Sequence, residues 1–223
     1  MLHLPPPLFH WLRGCFTERI CMKLYFSPGA CSLASHIVLC ETGLPFTTER
    51  VDLRTKVTAS GTDFNTINPK GYVPALELKD GTVLTEGPAI AQFLADLAPA
   101  SNLAPANGTL ERYELISLLN FIASEIHKNY SPLFNPQVSS DVQQERRAAL
   151  AKRYAYIEQA LAGKDFLTGA AFTVADAYLF TVSNWASFVK VDLSEFPNLQ
   201  AWQVRVGMRP AVQQAMRAER LAK

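Results

Sequence analysis

One cysteine stands where its thiol could do chemistry. Cys31 follows the short apolar run Met22–Phe26 and the turn Ser27-Pro28-Gly29, and it opens a segment with helical spacing. The N-terminus of a helix favours an anion, so this position predicts a thiol shifted toward the thiolate. No second cysteine lies within three positions, which excludes a local CxxC disulfide cycle. The alternative, a small buried hydrophobe, is the interpretation we favour for Cys40 on the opposite face of the helix.

A second group of polar side chains lies further along the chain. Residues from Leu110 to about Tyr130 have the period of one long amphipathic helix. At about 100° per residue, one face of this helix collects Asn120, Ser124, His127 and Lys128, and the opposite face is apolar. A solvated face would explain such a stripe. A histidine facing a cleft could instead donate a hydrogen bond to a thiolate or a ligand.

Three shorter motifs have weaker meaning on their own. Glu86-Gly87 opens a helix, where free N–H groups and a small residue would admit a ligand carboxylate, but a plain helix N-terminus would explain the same residues. Val73-Pro74 precedes a strand, and the rarity of cis X–Pro bonds predicts a trans peptide there. Thr173-Val174-Ala175-Asp176 is a capping box before an apolar run, to which we assign a structural role only.

The elements that must position these residues form an α/β unit. A strand at Met22–Phe26, a helix at Ser32–Thr42 and a strand at Phe46–Leu53 make one βαβ crossover of ordinary length. Asp80-Gly81 between two short apolar runs predicts a tight hairpin, and a helix follows from Glu86 to Pro99. We expect the order βαβαββα, followed by an all-helical domain.

Composition changes divide the chain into four parts. Residues 1–21 contain Pro5-Pro6-Pro7 and no period, fail as a secretory signal, and are interpreted as a disordered extension or an upstream start before Met22. Residues 22–98 form the α/β domain and the proline-bearing residues 99–108 a linker. The remainder, 109–223, is helical, with segments at about 110–130, 142–162, 173–188, 197–206 and 211–221.

Composition also excludes several classes of function. Lys+Arg 21 against Asp+Glu 20 leaves a net charge of +1 without a long run of one sign, which argues against nucleic acid and anionic lipid as partners. No apolar run reaches the roughly 18–20 residues of a membrane span. Four cysteines without a CxxC pair argue against a disulfide framework and a metal site. We therefore expect a cytoplasmic protein that binds no metal ion, no membrane and no nucleic acid.

Several motifs, taken together and in order, resemble the bacterial beta class of cytosolic glutathione S-transferases. The resemblance covers Met22 to about Ala222 and is carried by Met22–Ser32, Asp52–Lys56, Ile67–Pro74, Leu84–Gly87 and Phe172–Phe180. It implies a thioredoxin-like N-terminal domain, a helical C-terminal domain and a homodimer that binds glutathione and a hydrophobic electrophile.

The resemblance also implies roles for individual residues. Val73 would bind the cysteinyl part of glutathione, and Pro74 would be cis, which reverses the expectation from the sequence alone. Glu86 and Gly87 would hold the γ-glutamyl end, and Lys56 would hold the glycyl end or its neighbourhood. Cys31 would contact the glutathione sulfur and form a mixed disulfide with it. The helical wall would consist of Asn120, Ser124, His127 and Lys128, with His127 near the sulfur.

Two positions depart from the class. Phe26 stands where a tyrosine is frequent, so no hydroxyl can assist from there, and Tyr72 stands where glutamine is common. We expect a transferase in which the glutathione thiolate attacks a hydrophobic electrophile. Two alternatives stay open: a glutathione-dependent disulfide reductase or peroxidase using Cys31, and a non-catalytic carrier of apolar ligands.

Overall fold

The computed structural model of the chain describes residues 22–222. The extension expected at residues 1–21 lies outside the described residues. The α/β half is built on a five-stranded sheet with the strand order β3-β2-β1-β4-β5. Its strands are β1 (Met22–Phe26), β2 (Phe46–Asp52), β3 (Val57–Thr58), β4 (Ala75–Glu77) and β5 (Val83–Thr85).

The βαβ crossover has the expected geometry. Helix α1 (Ser32–Thr42) returns the chain so that β2 pairs with β1 in parallel, Met22 opposite Phe46. The helix ends at Gly43, whose φ of 66° is the left-handed conformation that favours glycine. Beyond it β4 and β5 pair antiparallel around Gly81, where φ is 83°. The crossover and the hairpin are confirmed.

Helices cover the sheet unequally. Helices α1 and α3 (Gly87–Leu97) bury their apolar side chains against one face, in a core that is continuous with that of the helical half. The opposite face has a smaller core of Tyr25, Val51, Val73 and Ala75, closed by Phe64 of the one-turn helix α2 (Phe64–Ile67). The order βαβαββα is thus present, with the two-residue strand β3 added.

The second half of the described chain is helical. Its α-helices are α4 (Leu110–Phe121), α5 (Lys128–Tyr130), α6 (Ser140–Ala160), α7 (Val174–Ser183), α8 (Pro197–Gly207) and α9 (Pro210–Ala218). Helix α7 is buried along its whole length and packs against α1 and α3 of the first half. It is the central helix that its apolar sequence predicts.

The connection at residues 99–108 is more ordered than a linker. It begins with a 3₁₀ turn, Pro99–Ser101, and the Leu103 side chain is buried in the main core. The carbonyl of Leu103 accepts the N–H of Val174 at the start of α7, over 3.0 Å. This hydrogen bond ties the connection to the helical half.

The long helix expected over residues 110–130 is interrupted. A π-helical stretch, Ile122–His127, separates α4 from α5. A π turn holds an extra residue, so the side chains beyond it no longer follow the spacing of about 3.6 residues per turn. The prediction of one continuous α-helix is wrong, and the face it defined is changed.

The capping box of α7 is confirmed. The Asp176 carboxylate accepts the N–H and the hydroxyl of Thr173, both over 2.9 Å. It also accepts the N–H of Leu167 and the indole N–H of Trp202, each over 2.9 Å. Burial raises the pKa of Asp176, and these four donors act in the opposite direction.

Candidate functional site

A cavity of about 830 Å³ lies between the sheet and the helical half. It brings together nine of the ten site residues that the sequence singled out, which are Cys31, Lys56, Val73, Pro74, Glu86, Gly87, Asn120, His127 and Lys128. The tenth, Ser124, does not line it. This volume lies within the roughly 300–1,000 Å³ that small-molecule pockets span.

Cys31 lines the cavity and is a protonated thiol. Its Sγ donates a hydrogen bond to the Val73 carbonyl oxygen at 3.1 Å, which a thiolate could not do. Burial raises the pKa of Cys31 to about 11, although the N–H groups of Cys31 and Ser32 oppose the rise. The predicted shift toward the thiolate is therefore wrong, because loss of water outweighs the helix N-terminus.

Val73 and Pro74 line the sheet side of the cavity. The Val73–Pro74 bond is cis, as the resemblance implies and contrary to the expectation from the sequence alone. Val73 and Pro74 are both buried, so this wall of the cavity is part of the packed core. Nearby, Lys56 Nζ donates to the Gly71 carbonyl oxygen at 2.9 Å. Lys56, which lies between β2 and β3, thus contacts the loop that precedes Val73 and Pro74.

The start of α3 forms an adjacent wall. Glu86 precedes Gly87 with a φ of 69°, a conformation that side-chain-bearing residues seldom adopt and that clusters at functional sites. Its carboxylate is exposed and meets Lys70 Nζ at 2.7 Å. An exposed ion pair of this kind contributes little to stability. The geometry holds the carboxylate at the cavity rim with the helix N-terminus beside it.

The helical wall differs from the predicted stripe by one position. Asn120, His127 and Lys128 line the cavity, but Ala123 takes the place expected for Ser124. The Ser124 side chain is exposed, and its hydroxyl donates to the Asn120 carbonyl at 3.0 Å. Ala123 and Ser124 both lie within the π-helical stretch Ile122–His127, where the residues do not follow the α-helical angle of about 100° each.

His127 is held by aromatic side chains. Its Nδ1 is 2.6 Å from the Tyr178 hydroxyl of α7, and the Trp185 ring lies edge-on with centroids 5.0 Å apart. Burial lowers the pKa of His127 to about 4, and the charge of Lys128 adds to the shift. The imidazole is therefore neutral near pH 7 and can donate from only one ring nitrogen.

Sequence reasoning missed Tyr178 and Lys70 as lining residues. Tyr178 stands in an otherwise apolar buried helix, and a buried tyrosine hydroxyl needs a partner, which was the signal available. The charged residues that line the cavity are three lysines, one of which is Lys70, and one glutamate. Their net charge of +2 favours an anionic ligand.

Two negative observations concern the described residues. Among residues 22–222, no group of three or more His, Cys, Asp or Glu side chains is placed to hold a metal ion. Within the same range, no helix is long and apolar enough to cross a membrane.

Two family models match the chain in the order of its two halves. The glutathione S-transferase N-terminal domain matches residues 29–97, and the glutathione S-transferase C-terminal domain matches residues 121–210. The chain belongs to the glutathione S-transferase family. Its α/β half is the thioredoxin-like domain of that family and its second half the helical domain.

Individual relatives agree with this assignment. Glutathione S-transferase GstA of Escherichia coli O157:H7 is 48% identical over 200 residues, which cover 90% of this chain and all of that protein. A sphingomonad glutathione S-transferase solved in complex with glutathione is 47% identical with a TM-score of 0.86, covering 90% of this chain and all of the other. The beta-class enzyme of Sphingomonas chungbukensis is 46% identical with a TM-score of 0.87, at the same coverage. The resemblance to the bacterial beta class is confirmed.

Proposed function

We propose that this protein is a glutathione transferase that conjugates the glutathione thiolate to hydrophobic electrophiles. The observation that carries the proposal is the cavity itself. It combines the Val73 backbone, the Glu86 carboxylate at a helix N-terminus and the Cys31 thiol, and the helical domain forms its opposite wall. Family membership and the glutathione bound to the sphingomonad relative support the same ligand.

The chemistry of the walls suggests an orientation for glutathione. The γ-glutamyl end carries an ammonium group, which Glu86 would pair with, and its carboxylate would meet N–H groups near Gly87. The cysteinyl part would lie along Val73, and the glycyl carboxylate would pair with Lys56. In this orientation the sulfur comes to Cys31 and the helix start behind it.

The conjugation step follows from this placement. The glutathione thiol releases its proton to solvent, and the sulfur is stabilised as a thiolate by N–H donors at the start of α1 and by His127. Lowering a thiol pKa by two units requires about 2.7 kcal/mol of preferential stabilisation, which a few aimed donors supply. The sulfur then forms a bond to the electrophilic carbon, and a group such as chloride leaves with its electron pair.

The mixed disulfide is the second part of the proposal. When Cys31 ionises, its sulfur attacks glutathione disulfide, forms the Cys31–glutathione bond and releases one glutathione thiolate. The raised pKa of Cys31 makes this step slow near neutral pH. Burial of the thiol therefore favours conjugation over disulfide reduction or peroxidase turnover as the main activity.

An activity comparison tests the proposal. The purified protein is assayed with glutathione and a chloronitrobenzene, and in parallel with glutathione and a glutathionylated disulfide. Conjugation faster than disulfide reduction supports the transferase. Reduction alone would support the reductase, and binding of apolar ligands without turnover in either assay would support the carrier.

The proposal includes the assembly and the location. We propose a homodimer, supported by exposed Leu110 and Tyr113 on the first turn of α4. We also propose two domains, residues 22–98 and 109–223, joined by the connection at residues 99–108. Cys31 and Cys40 are free thiols, which is compatible with the cytoplasm. Light scattering on a sizing column measures the oligomeric state.

A further inference from the structure

The hydrogen bond between His127 and Tyr178 joins two elements across the cavity wall. His127 closes the π-helical stretch, and Tyr178 lies in the middle of the buried helix α7. Nδ1 and the hydroxyl oxygen are 2.6 Å apart, with the rings edge-on at a centroid distance of 5.8 Å. Trp185 packs against the same imidazole. The ring is thus held on two sides.

The other ring nitrogen of His127 is open to the cavity. Nε2 has no hydrogen-bond partner among residues 22–222, and it is not one of their buried unpaired atoms. Because His127 lines the cavity, the accessible nitrogen is the one a ligand would meet. Whether Nε2 donates or accepts depends on the tautomer.

We propose that Tyr178 is a positioning residue: its hydroxyl donates to Nδ1 of His127 and thereby places the imidazole proton on Nε2, facing the cavity. The alternative is donation from Nδ1–H to the Tyr178 oxygen. That arrangement would leave the phenol hydrogen without an acceptor, since Tyr178 makes no other hydrogen bond to the described residues. An unpaired buried donor costs about 1–3 kcal/mol, so the first arrangement is the stable one.

The protonation states agree with this geometry. Burial raises the pKa of Tyr178, and the negative charge of Glu86 raises it further, as does Cys31 whenever it is ionised, so the phenol keeps its proton. Burial lowers the pKa of His127 to about 4, so the imidazole is neutral. A protonated phenol beside a neutral imidazole is the pair that the proposed hydrogen bond requires.

The inference rests on the proposed function in one respect. If glutathione binds with its sulfur near Cys31, the Nε2–H of His127 is a fixed donor to the thiolate. Tyr178 then helps, through His127, to stabilise the glutathione thiolate. Phe26 on β1 has no hydroxyl group and cannot do this. Other titratable or charged side chains around the cavity also affect the thiolate, namely Cys31, Lys56, Lys70, Tyr72, Glu86 and Lys128.

Nitrogen NMR of the full-length protein measures the tautomer directly. The chain has four histidines, and comparison with a His127→Asn sample identifies the signals of His127. We expect the Nε2–H form, with Nδ1 as acceptor, in the absence of glutathione. Observation of the Nδ1–H form, or of an even mixture, would overturn the inference. This measurement requires neither glutathione nor a Tyr178 variant that folds.

A pH titration of the thiolate separates positioning from packing. In Tyr178→Phe the bound glutathione thiol should ionise at higher pH than in the wild type, as followed by the ultraviolet absorbance of the thiolate. The value of kcat/KM near pH 7 should fall about tenfold, with little change in KM for glutathione. Tyr130→Phe is the matched control, because its buried hydroxyl bonds Tyr154 and its ring packs on the same Trp185.

Coincident pH profiles for Tyr178→Phe and the wild type would contradict the positioning role. A wild-type protein that takes up no glutathione would instead refute the proposed function, and the tautomer measurement would still stand. The two failures are therefore distinguishable.

Discussion

The Cys31 thiol and the Val73 carbonyl oxygen lie 3.1 Å apart, joining the start of α1 to the peptide before the cis Pro74. Only the protonated sulfur can donate in this contact, in agreement with the pKa of about 11 that burial produces. Cys31 is therefore held as a protonated thiol. In the proposed reaction the active thiolate belongs to glutathione.

Alkylation of Cys31 should be slow and strongly dependent on pH. With a pKa of about 11, the thiolate fraction rises tenfold for each pH unit between pH 7 and 9. The rate of iodoacetamide modification, followed at Cys31 by peptide mass spectrometry, should rise in the same way. The Cys40→Ala background removes the other described free thiol, whose pKa is also about 11. A rate that levels off below pH 8 would show an activated cysteine.

Replacement of Cys31 should separate the two proposed chemistries. In Cys31→Ala the cavity loses the Sγ contact with Val73 but keeps the backbone donors at the start of α1. We expect conjugation to stay within about tenfold of the wild type, because one neutral hydrogen bond contributes about 1 kcal/mol. The glutathione adduct seen by mass spectrometry should disappear, while Cys40→Ala should keep it. An unchanged adduct in Cys31→Ala would refute the assignment of the disulfide to this residue.

The ion pair between α3 and α4 should stabilise the fold more than a surface pair does. Arg112 binds Asp96 through two N–H···O contacts of 2.8 and 2.9 Å, and its side chain is only 4% exposed. Asp96→Asn leaves a buried cation poorly paired, so we expect urea denaturation to show a loss of about 2 kcal/mol. Glu125→Gln, which breaks the exposed pair with Arg153, should change stability by less than about 0.5 kcal/mol. Equal losses of stability for Asp96→Asn and Glu125→Gln would contradict this prediction.

The contribution of Asp96 should depend on pH with a defined sign. Burial tends to raise its pKa, but hydrogen bonds from Arg112 and Asn107 and the charge of Arg112 outweigh burial and hold the pKa below its usual value. The contribution is then fully present above the unfolded pKa of about 4 and is lost as pH falls through the folded pKa. The stability difference between wild type and Asp96→Asn should shrink below about pH 4.

Loss of the capping carboxylate should be the most costly of these changes. Asp176→Ala removes an acceptor used by Leu167, Thr173 and Trp202 and leaves buried donors unpaired. We expect about 3 kcal/mol of destabilisation in urea denaturation. Asp192→Ala, at an exposed turn where the carboxylate accepts one N–H, serves as control with less than about 1 kcal/mol. A loss below 1 kcal/mol for Asp176→Ala would show that Thr173 alone caps α7.

Local signals predicted most of the fold. The Ser32–Thr42 helix, the Asp80-Gly81 turn and the Thr173–Asp176 box depend on neighbours in sequence, and the structure places them as expected. The helix predicted over residues 173–188 is also present, but it ends earlier, at Ser183. The π turn before His127 could not be found in this way, because a pattern analysed at a constant angle per residue cannot contain a change of angle. Ser124 lies within this π-helical stretch, and its side chain is exposed.

The chemistry of the site was less predictable than its position. The pKa of Cys31 depends on how much water the helical half removes, and the neutral state of His127 depends on burial beneath Tyr178 and Trp185. Those contacts join residues far apart in the chain. Long-range burial, which no local pattern contains, sets both pKa values.

Calorimetric titration of the purified protein with glutathione tests the central claim most directly. We expect saturable heat of binding for the wild type. Glu86→Gln should lose at least tenfold in affinity, because the charge-assisted bonds of Glu86 contribute about 1.5–3 kcal/mol. The control Glu195→Gln, at an exposed site elsewhere, should bind glutathione with unchanged affinity. Absence of heat with the wild type, or equal affinity of Glu86→Gln and wild type, would contradict the assignment of this cavity to glutathione.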